Sequence, residues 1–149
     1  MINVHKIENL LKLDITDLLE QSQIEGFRFV NRLLTDYQTR INTFNKPGEA
    51  LYGVFTTDKT LIAIGGVNID PFLGDPTIAR LRRFYVLPEY RRKGVGTILL
   101  EKLLQEAKQN FCLLVLHTDT EQADQFYTSF GFTKVDDGPN YTHELKVGD

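Results

Sequence analysis

The second half of the chain contains a strand, a helix and a strand in succession, each with its own hydrophobic pattern. The segment Ile78–Val86 is predicted to form a strand that ends before Pro88. Apolar residues at positions 99, 100, 103, 104 and 107 then recur at helical spacing, up to about Asn110. The apolar run Phe111–Leu116 is typical of a strand covered on both faces. A helix between two such strands predicts a β-α-β crossover at the centre of a sheet.

The segments around this unit predict further helices and strands. Helices are expected over Asp14–Gly26, with Asp14 as N-cap, and over Phe29–Ile41, which has one buried face. Another is expected between a capping box of Thr118 and Glu121 and the C-terminal glycine Gly131. The other predicted strands are Asn3–Ile7, Leu51–Phe55, Leu61–Val67, Phe132–Val135 and Tyr141–Val147.

This order of elements, β-α-α-β-β-β-α-β-α-β-β, predicts the α/β class. We expect a mixed sheet with helices on both faces and the β-α-β crossover at its centre. The length of 149 residues, of which 42% are hydrophobic, suits a single core, so residues 1–149 are expected to form one domain.

Charge and composition exclude several classes of protein. A formal net charge of −3 gives no basic excess, so neither nucleic acid nor a membrane surface is an expected partner. The chain begins without a charged and apolar leader and holds no run of about 18 apolar residues, which favours a cytoplasmic protein. The single cysteine, Cys112, excludes an intramolecular disulfide, and no histidine or carboxylate pair has metal-ligand spacing. No metal is expected.

The turn between the predicted strand Ile78–Val86 and the following helix carries the clearest chemical signal. Gly94 and Gly96 allow close approach of a ligand to the backbone, and the first N–H groups of the helix point outward without partners. Positive charge comes from the helix dipole and from Arg91, Arg92 and Lys93, so the turn predicts a phosphate site. It lacks the Gly-Lys-Ser/Thr ending of a P-loop and the third glycine of a dinucleotide-binding fingerprint.

Two motifs in this region resemble those of the GCN5-related N-acetyltransferase (GNAT) superfamily. Arg91, Gly94 and Gly96 match its signature Arg/Gln-x-x-Gly-x-Gly/Ala, after a strand that ends in Val-x-Pro-Glu-Tyr. The segment Phe126–Phe132, Phe-Tyr-Thr-Ser-Phe-Gly-Phe, resembles the second recurrent pattern of that superfamily. The motifs lie in the expected order, and the predicted elements are similar to the GNAT fold over nearly the whole chain.

The resemblance implies that acetyl-CoA is the co-substrate and that it lies in a gap where the strands Ile78–Val86 and Phe111–Leu116 splay apart. Backbone groups of Phe84, Tyr85 and Val86 would pair with the pantetheine arm. The pyrophosphate would be held by N–H groups of the turn, formed by Arg91, Arg92, Lys93, Gly94, Val95, Gly96 and Thr97.

By the same resemblance, Tyr127 would stand near the thioester sulfur as general acid or hydrogen-bond donor. Many relatives carry Asn seven residues before this tyrosine. Thr120 occupies that position here and is included as a cofactor-binding candidate.

Several of these residues also have simpler interpretations. Tyr127 has the helical spacing of a core aromatic. Six basic residues between Arg80 and Lys93 favour the phosphates of CoA, or RNA as an alternative. We expect Cys112 to be an inert buried thiol, His117 to be a surface hydrogen-bonding group, and His143 to lie far from the motifs.

The leading hypothesis is an N-acetyltransferase in which an amine attacks the thioester directly within a ternary complex. The acceptor would be a small molecule or a peptide, bound by residues 20–50 and 68–77. Two alternatives stay open: a non-catalytic acyl-CoA-binding or regulatory module, and an RNA-binding protein. The oligomeric state is also open, with a homodimer as one option.

Overall fold

The computed structural model describes residues 2–138 and 140–148. They form a seven-stranded sheet with β1 (Ile2–Lys6), β2 (Ala50–Thr56), β3 (Leu61–Ile69), β4 (Ile78–Val86), β5 (Leu113–Leu116), β6 (Thr133–Lys134) and β7 (His143–Lys146). The α-helices of these residues are α1 (Thr16–Ile24), α2 (Phe29–Gln38), α3 (Val95–Asn110) and α4 (Glu121–Ser129). Short 3-10 helices at Leu10–Lys12 and Pro88–Tyr90 were not predicted from the sequence.

The strand order is β1-β2-β3-β4-β5-β7-β6, and every neighbouring pair is antiparallel except β4 and β5. Those two strands are joined through α3. The predicted α/β class, mixed sheet and central crossover are therefore confirmed.

Some boundaries differ from the predicted ones for local reasons. Helix α2 ends at Gln38 instead of Ile41, because Arg40 adopts a left-handed conformation with φ of +64°. The capping box predicted at Thr118 is wrong: the N-cap of α4 is Thr120, whose side chain accepts a hydrogen bond from the Ala123 N–H at 3.2 Å. Strand β5 begins at Leu113, two residues later than predicted.

The helices cover opposite faces of the sheet, as neighbouring residues of β4 show. Tyr85 packs against Phe27 and Phe29, which lie between α1 and α2 and at the start of α2. Phe84 packs against Phe126 in α4. One face is therefore covered by α1 and α2, and the other by α3 and α4. The buried side of α3 consists of leucines 99, 100 and 103 together with Ala107, as predicted from their spacing.

Strand β4 carries an irregularity just beyond its last residue paired with β5. Between the pairs Gly66–Arg82 and Ile64–Tyr85 it has one residue more than β3, which is a β-bulge, and Arg83 within it has a φ of +60°. The parallel ladder to β5 covers only Ile78–Arg80. Beyond Arg80, the edge of β4 that faces β5 has no strand partner among the described residues, and this space is called the gap below.

Candidate active site

The turn before α3 presents backbone N–H groups that no helical bond uses. Gly94 caps the helix with φ of +82°, a left-handed conformation that glycine adopts at no steric cost. The first helical bond runs from the Ile98 N–H to the Gly94 carbonyl at 3.1 Å. The N–H groups of Val95, Gly96 and Thr97 therefore have no partner within the helix, and the helix dipole makes their surroundings favourable for an anion.

Gly96 lies where three elements meet. A β-carbon at this position would lie 3.4 Å from Cζ of Phe126 and 3.6 Å from Cγ2 of Val86. The first turn of α3 thus packs against the end of β4 and the middle of α4. The two sequence motifs, 30 residues apart in the chain, are in contact here.

The side chain of Arg91 is bound within the protein. Its two Nη atoms donate to the Oε atoms of Glu25 at 2.7 Å each, and its Nε donates to the Val86 carbonyl at 3.0 Å. These bonds lower the pKa of Glu25 and raise that of Arg91. Arg91 therefore connects the end of α1 to the end of β4. No sequence pattern indicated Glu25, because it lies 66 residues away.

Tyr85 completes this group on the face covered by α1 and α2. Its hydroxyl donates to Glu25 Oε1 at 2.5 Å, and the Arg91 guanidinium lies 5.4 Å from its ring centre. Burial, followed by the bond to Glu25, raises the pKa of Tyr85. The side chain of Tyr85 thus points away from the face on which α3 begins.

The six basic residues between Arg80 and Lys93 do not form one phosphate-binding surface. Arg80 is buried against Asp70, and Arg83 lies 3.5 Å from Asp36. Burial lowers the pKa of Arg83 to about 10. The side chains of Arg92 and Lys93 are exposed beside the α3 turn, where Lys93 lies 5.9 Å from the ring centre of Tyr90. These two are the cations of the cluster that are available to a phosphate at this turn.

An aromatic group lines the α3 and α4 side of the gap. The ring of Phe84 lies 5.8 Å from that of Phe126 and 6.1 Å from that of Tyr127, edge to face in the second case. Tyr127 also contacts the ring of Phe132 at 5.6 Å. The structure therefore brings together Phe84, Val86, Gly96 and Tyr127.

The Tyr127 hydroxyl is available for chemistry although its ring is part of the core. The residue is 7% exposed, and the hydroxyl has no hydrogen-bond partner among residues 2–138 and 140–148. Within the same residues, Arg80 Nη2 is the one fully buried side-chain nitrogen or oxygen atom without a partner. The Tyr127 oxygen therefore retains some access to solvent. Burial raises its pKa, so the phenol stays protonated and acts as a donor at neutral pH.

His143 lies beside Tyr127, and the expectation that it lies far from the motifs is wrong. Its ring centre is 6.4 Å from that of Tyr127. Nε2 contacts Asp124 Oδ1 at 2.6 Å, and Nδ1 contacts Thr142 Oγ1 at 2.8 Å. His143 is 1% exposed and ties β7 to α4. Antiparallel pairing of β7 with β5 brings it there, which no local pattern indicates.

The residues at the two ends of β5 have different surroundings. His117 follows β5 at the gap and is exposed. Cys112 precedes β5 at the opposite end and is half-buried, which corrects the expectation of a buried thiol. Its backbone pairs with Thr77, Val147 and Gly148.

The backbone of β4 offers a donor toward the gap. The Leu87 N–H donates to the Ile62 carbonyl of β3 at 2.9 Å. Because N–H groups alternate between the two edges of a strand, the Val86 N–H points to the other edge, which faces the gap. The Val86 carbonyl accepts from Arg91 Nε.

These features fit the two ends of an acyl-CoA molecule. The unpartnered edge of β4 suits an extended chain with amide groups, and the N–H groups of α3 with Arg92 and Lys93 suit its phosphates. Among the described residues, no three His, Cys, Asp or Glu side chains come together as metal ligands.

A sequence profile of the acetyltransferase (GNAT) family matches residues 13–132. The chain belongs to the GNAT acetyltransferase family. The match includes the α3 turn, the gap and Tyr127, so the geometry above lies in the part of the chain that defines the family. Members of this family generally use acetyl-CoA and act on amines.

Individual relatives agree with this assignment. The crystal structure of an Exiguobacterium sp. 255-15 protein described as an acetyltransferase is 35% identical, with a TM-score of 0.88 over 98% of this chain and 93% of that one. "Probable N-acetyltransferase san" of Drosophila melanogaster is 34% identical over an alignment of 77 positions that covers 46% of this chain and 42% of the relative. "Uncharacterized N-acetyltransferase C1271.07c" of Schizosaccharomyces pombe is 37% identical over 78 residues, with 50% and 47% covered. The chain thus spans less than half the length of these two curated relatives.

Two further observations concern the surface. Among the described residues, no helix is both long enough and apolar enough to span a bilayer. Two surface hollows, each of about 230 Å³, lie away from the gap: one beside Leu104 and Leu145, the other beside Asp17 and Phe55. Neither contains a residue of the candidate site.

Proposed function

We propose that this GNAT protein is an acetyl-CoA-dependent N-acetyltransferase, formed by residues 1–149 as one domain, that acetylates an amine of a small molecule or peptide. The observation that carries the proposal is the convergence of the α3 turn, the free edge of β4 and the Tyr127 hydroxyl. The α3 turn at one end of the gap suits phosphates, and the free edge of β4 suits an extended chain. The phenol of Tyr127 lies beside the gap. A protein that only binds nucleotides needs no such donor there.

The roles of the binding residues follow from their placement. Backbone N–H groups of Val95, Gly96 and Thr97 would hold the pyrophosphate, with Gly94 permitting the turn. Exposed Arg92 and Lys93 would add positive charge. Phe84, Tyr85 and Val86 would pair through their backbone with the pantetheine arm. Arg91 holds the turn to α1 through Glu25. Thr120 caps α4, which positions Tyr127.

Acetyl-CoA supplies an activated acyl group as a thioester. The Val86 N–H would polarise the thioester carbonyl as an oxyanion-type donor, and the Tyr127 hydroxyl would donate a hydrogen bond to the departing sulfur. The acceptor amine, deprotonated through water in the open gap, attacks the carbonyl directly. Most of the rate enhancement would come from proximity.

The position of Cys112 supports direct transfer over an acyl-cysteine route. This is the single cysteine of the sequence, and it precedes β5, whereas the gap opens beyond the last paired residues, Arg80 and Val115. The strand separates the thiol from the proposed thioester position. Among the described residues, no side chain forms a hydrogen bond or ion pair with the Cys112 thiol that would activate it.

The experiment that tests this proposal has two parts. Calorimetry with acetyl-CoA and CoA measures binding, and release of free thiol over a panel of amines and N-terminal peptides measures turnover. We expect micromolar binding and turnover with a subset of the panel. Binding without turnover, over a panel that also covers amines of lysine side chains, would instead support the non-catalytic acyl-CoA-binding module. Absence of CoA binding would refute both.

A further inference from the structure

A group of arginines lies where β4 and β5 cease to pair, on the face of the sheet covered by α1 and α2. The Nε of Arg80 donates to Asp70 Oδ1 at 2.6 Å, and the two side chains are 5% and 0% exposed. The other oxygen of Asp70 accepts from the N–H groups of Phe72 and Leu73. Both oxygens of Asp70 therefore accept hydrogen bonds, whereas Arg80 Nη2 is buried with no partner among the described residues.

Arg82 is a second guanidinium without a partner. It lies two residues further along β4, so its side chain is on the same face as that of Arg80. It is half-buried, and no hydrogen bond or ion pair to its side chain is formed within residues 2–138 and 140–148. Burial, and then the charge of Arg80, lower its pKa. Its neighbour across the sheet is Gly66 of β3, which offers no side chain to pair with it.

The carboxylates near Arg82 interact with other groups. Asp36 lies 3.5 Å from Arg83. Glu49 accepts from the backbone N–H groups of Lys46 at 3.2 Å and Ile69 at 2.9 Å. A half-buried cation without a protein acceptor keeps donors free for a ligand, and a carboxylate that also displaces water from it gains a charge-assisted hydrogen bond.

The guanidinium groups of Arg80 and Arg82 lie on the side of the sheet from which an acceptor would approach. Arg80 pairs with Val115 in the last step of the parallel ladder, so Arg82 is at the point where the strands separate. Phe84 and Tyr127, with the α3 turn, lie on the opposite face. If acetyl-CoA occupies the α3 and α4 side, the amine must reach the thioester from the face where Arg82 lies.

We propose that the acceptor of this enzyme is an amine that carries a carboxylate, which is bound by the half-buried guanidinium of Arg82, with the buried positive charge of Arg80 beside it. The inference rests on the proposed acetyltransferase function and names its substrate class: amino acids, or peptides with an acidic group near the reacting amine. Guanidinium and carboxylate match as planar, two-pronged partners. The Phe72 ring, 4.8 Å from the Arg80 guanidinium and 55% exposed, shields one side of this anion subsite.

A binding experiment tests the subsite without relying on turnover. N-acetyl derivatives of the common amino acids, which resemble products, are titrated into the protein saturated with CoA. The uncharged amide of each derivative is titrated separately for comparison. We expect the acid of at least one pair to bind about 10- to 100-fold tighter than its amide. Arg82→Gln should remove this difference and leave the affinity for the amide and for CoA unchanged. Lys12→Gln, at an exposed cation outside residues 20–50 and 68–77, is the control and should retain the difference.

Turnover provides the second arm. Thiol release is measured with each amino acid and its amide, and KM for the acid should rise about 10- to 100-fold in Arg82→Gln while kcat changes little. Arg82→Lys keeps the positive charge but loses the two-pronged guanidinium. Its KM for the acid should therefore lie between those of the wild type and Arg82→Gln. Inorganic phosphate as a competing probe tests whether a phosphorylated amine fits better than a carboxylate. With acetyl-CoA saturating, inhibition by phosphate that is competitive with the amine and tighter than that by acetate would overturn the choice of carboxylate.

The outcomes separate the two proposals. If acids and amides bind equally well, or if Arg82→Gln keeps the preference, the anion subsite is wrong even for an active acetyltransferase. If acids bind through Arg82 but no amine is acetylated in the presence of bound acetyl-CoA, the acetyltransferase proposal fails and the subsite remains.

Discussion

At the level of single residues, Tyr127 combines a buried aromatic ring with a hydroxyl that has no hydrogen-bond partner in the described part of the chain. Core packing explains the ring, which contacts Phe84, Phe126 and Phe132. It does not explain the hydroxyl, because a phenol in the core normally has a hydrogen-bond partner. The structural and the chemical interpretations of Tyr127 therefore apply to different atoms of one side chain, and a substitution that removes only the oxygen separates them.

Tyr127→Phe is expected to lower kcat by roughly 10- to 1000-fold, the range typical of acid catalysis. The ring contacts remain and no hydrogen bond within the described residues is lost, so Tm and the Kd for acetyl-CoA should be unchanged. Tyr37→Phe is the matched control. It removes a buried hydroxyl that donates to the Glu8 carbonyl, away from the gap, and should keep the wild-type kcat. A wild-type rate in Tyr127→Phe, with chemistry rate-limiting, would mean that the proton reaches sulfur from water.

Glu25 gives a prediction about pH. Its pKa is lowered, chiefly by the bond from Arg91, so the pair stabilises the fold above the ordinary glutamate pKa and loses its effect as pH falls through the lowered value. Glu25→Gln should cost at most about 1 kcal/mol at pH 7, since the pair is partly exposed. The difference from wild type in urea unfolding should shrink as the pH falls and vanish below the lowered pKa of Glu25. Glu20→Gln, at an exposed position of α1, should show little difference at either pH. A constant Glu25→Gln difference would contradict the assignment.

At the level of elements, the N-terminus of α3 can be tested by a charge placed within its first turn. Gly96→Asp brings a carboxylate next to the N–H groups proposed to hold the pyrophosphate. We expect CoA affinity to fall by more than tenfold, a loss of more than about 1.4 kcal/mol. The helix dipole favours an acidic residue in this turn, but its β-carbon would pack against Phe126 and Val86, so the Tm of the variant is measured first to confirm folding.

Gly96→Ala is the steric control for this prediction. Its β-carbon would meet Phe126 and Val86 at 3.4 Å and 3.6 Å, which are ordinary contact distances. CoA affinity in the alanine variant, measured by calorimetry, should therefore stay within a few-fold of wild type. Equal affinity of the folded aspartate variant and the wild type would show that the phosphates bind elsewhere.

The elements also show why some features were predictable from sequence. The α3 turn and the buried side of α3 follow from residues close together in the chain, through glycine conformation and helical period. The contacts of Arg91 with Glu25 and of His143 with Tyr127 depend on how distant elements pack. The unpaired state of Arg82 is a further case, because charge counting alone grouped it with the phosphate-binding cations. Tertiary structure alone distinguishes paired from unpaired arginines.

At the level of the whole molecule, the sheet consists of two parts joined by a short parallel ladder. One part is β1 to β4, and the other is β5, β7 and β6. The ladder contains the pairs Ile78–Leu113, Ala79–Leu114 and Arg80–Val115. Past these pairs, the edge of β4 lacks a strand partner among the described residues. A ligand that fills this edge would act as an additional strand between the two parts.

Binding of acetyl-CoA should therefore stabilise the whole sheet. At a concentration 100 times its Kd, a ligand specific for the folded state adds about 2.7 kcal/mol, which corresponds to a Tm increase of roughly 5–10 °C for a domain of this size. Hydrogen exchange should slow at the Val86 amide and along Leu81–Val86, in addition to the α3 turn. If only the α3 turn is protected, the phosphates bind as proposed but the pantetheine arm does not lie along β4.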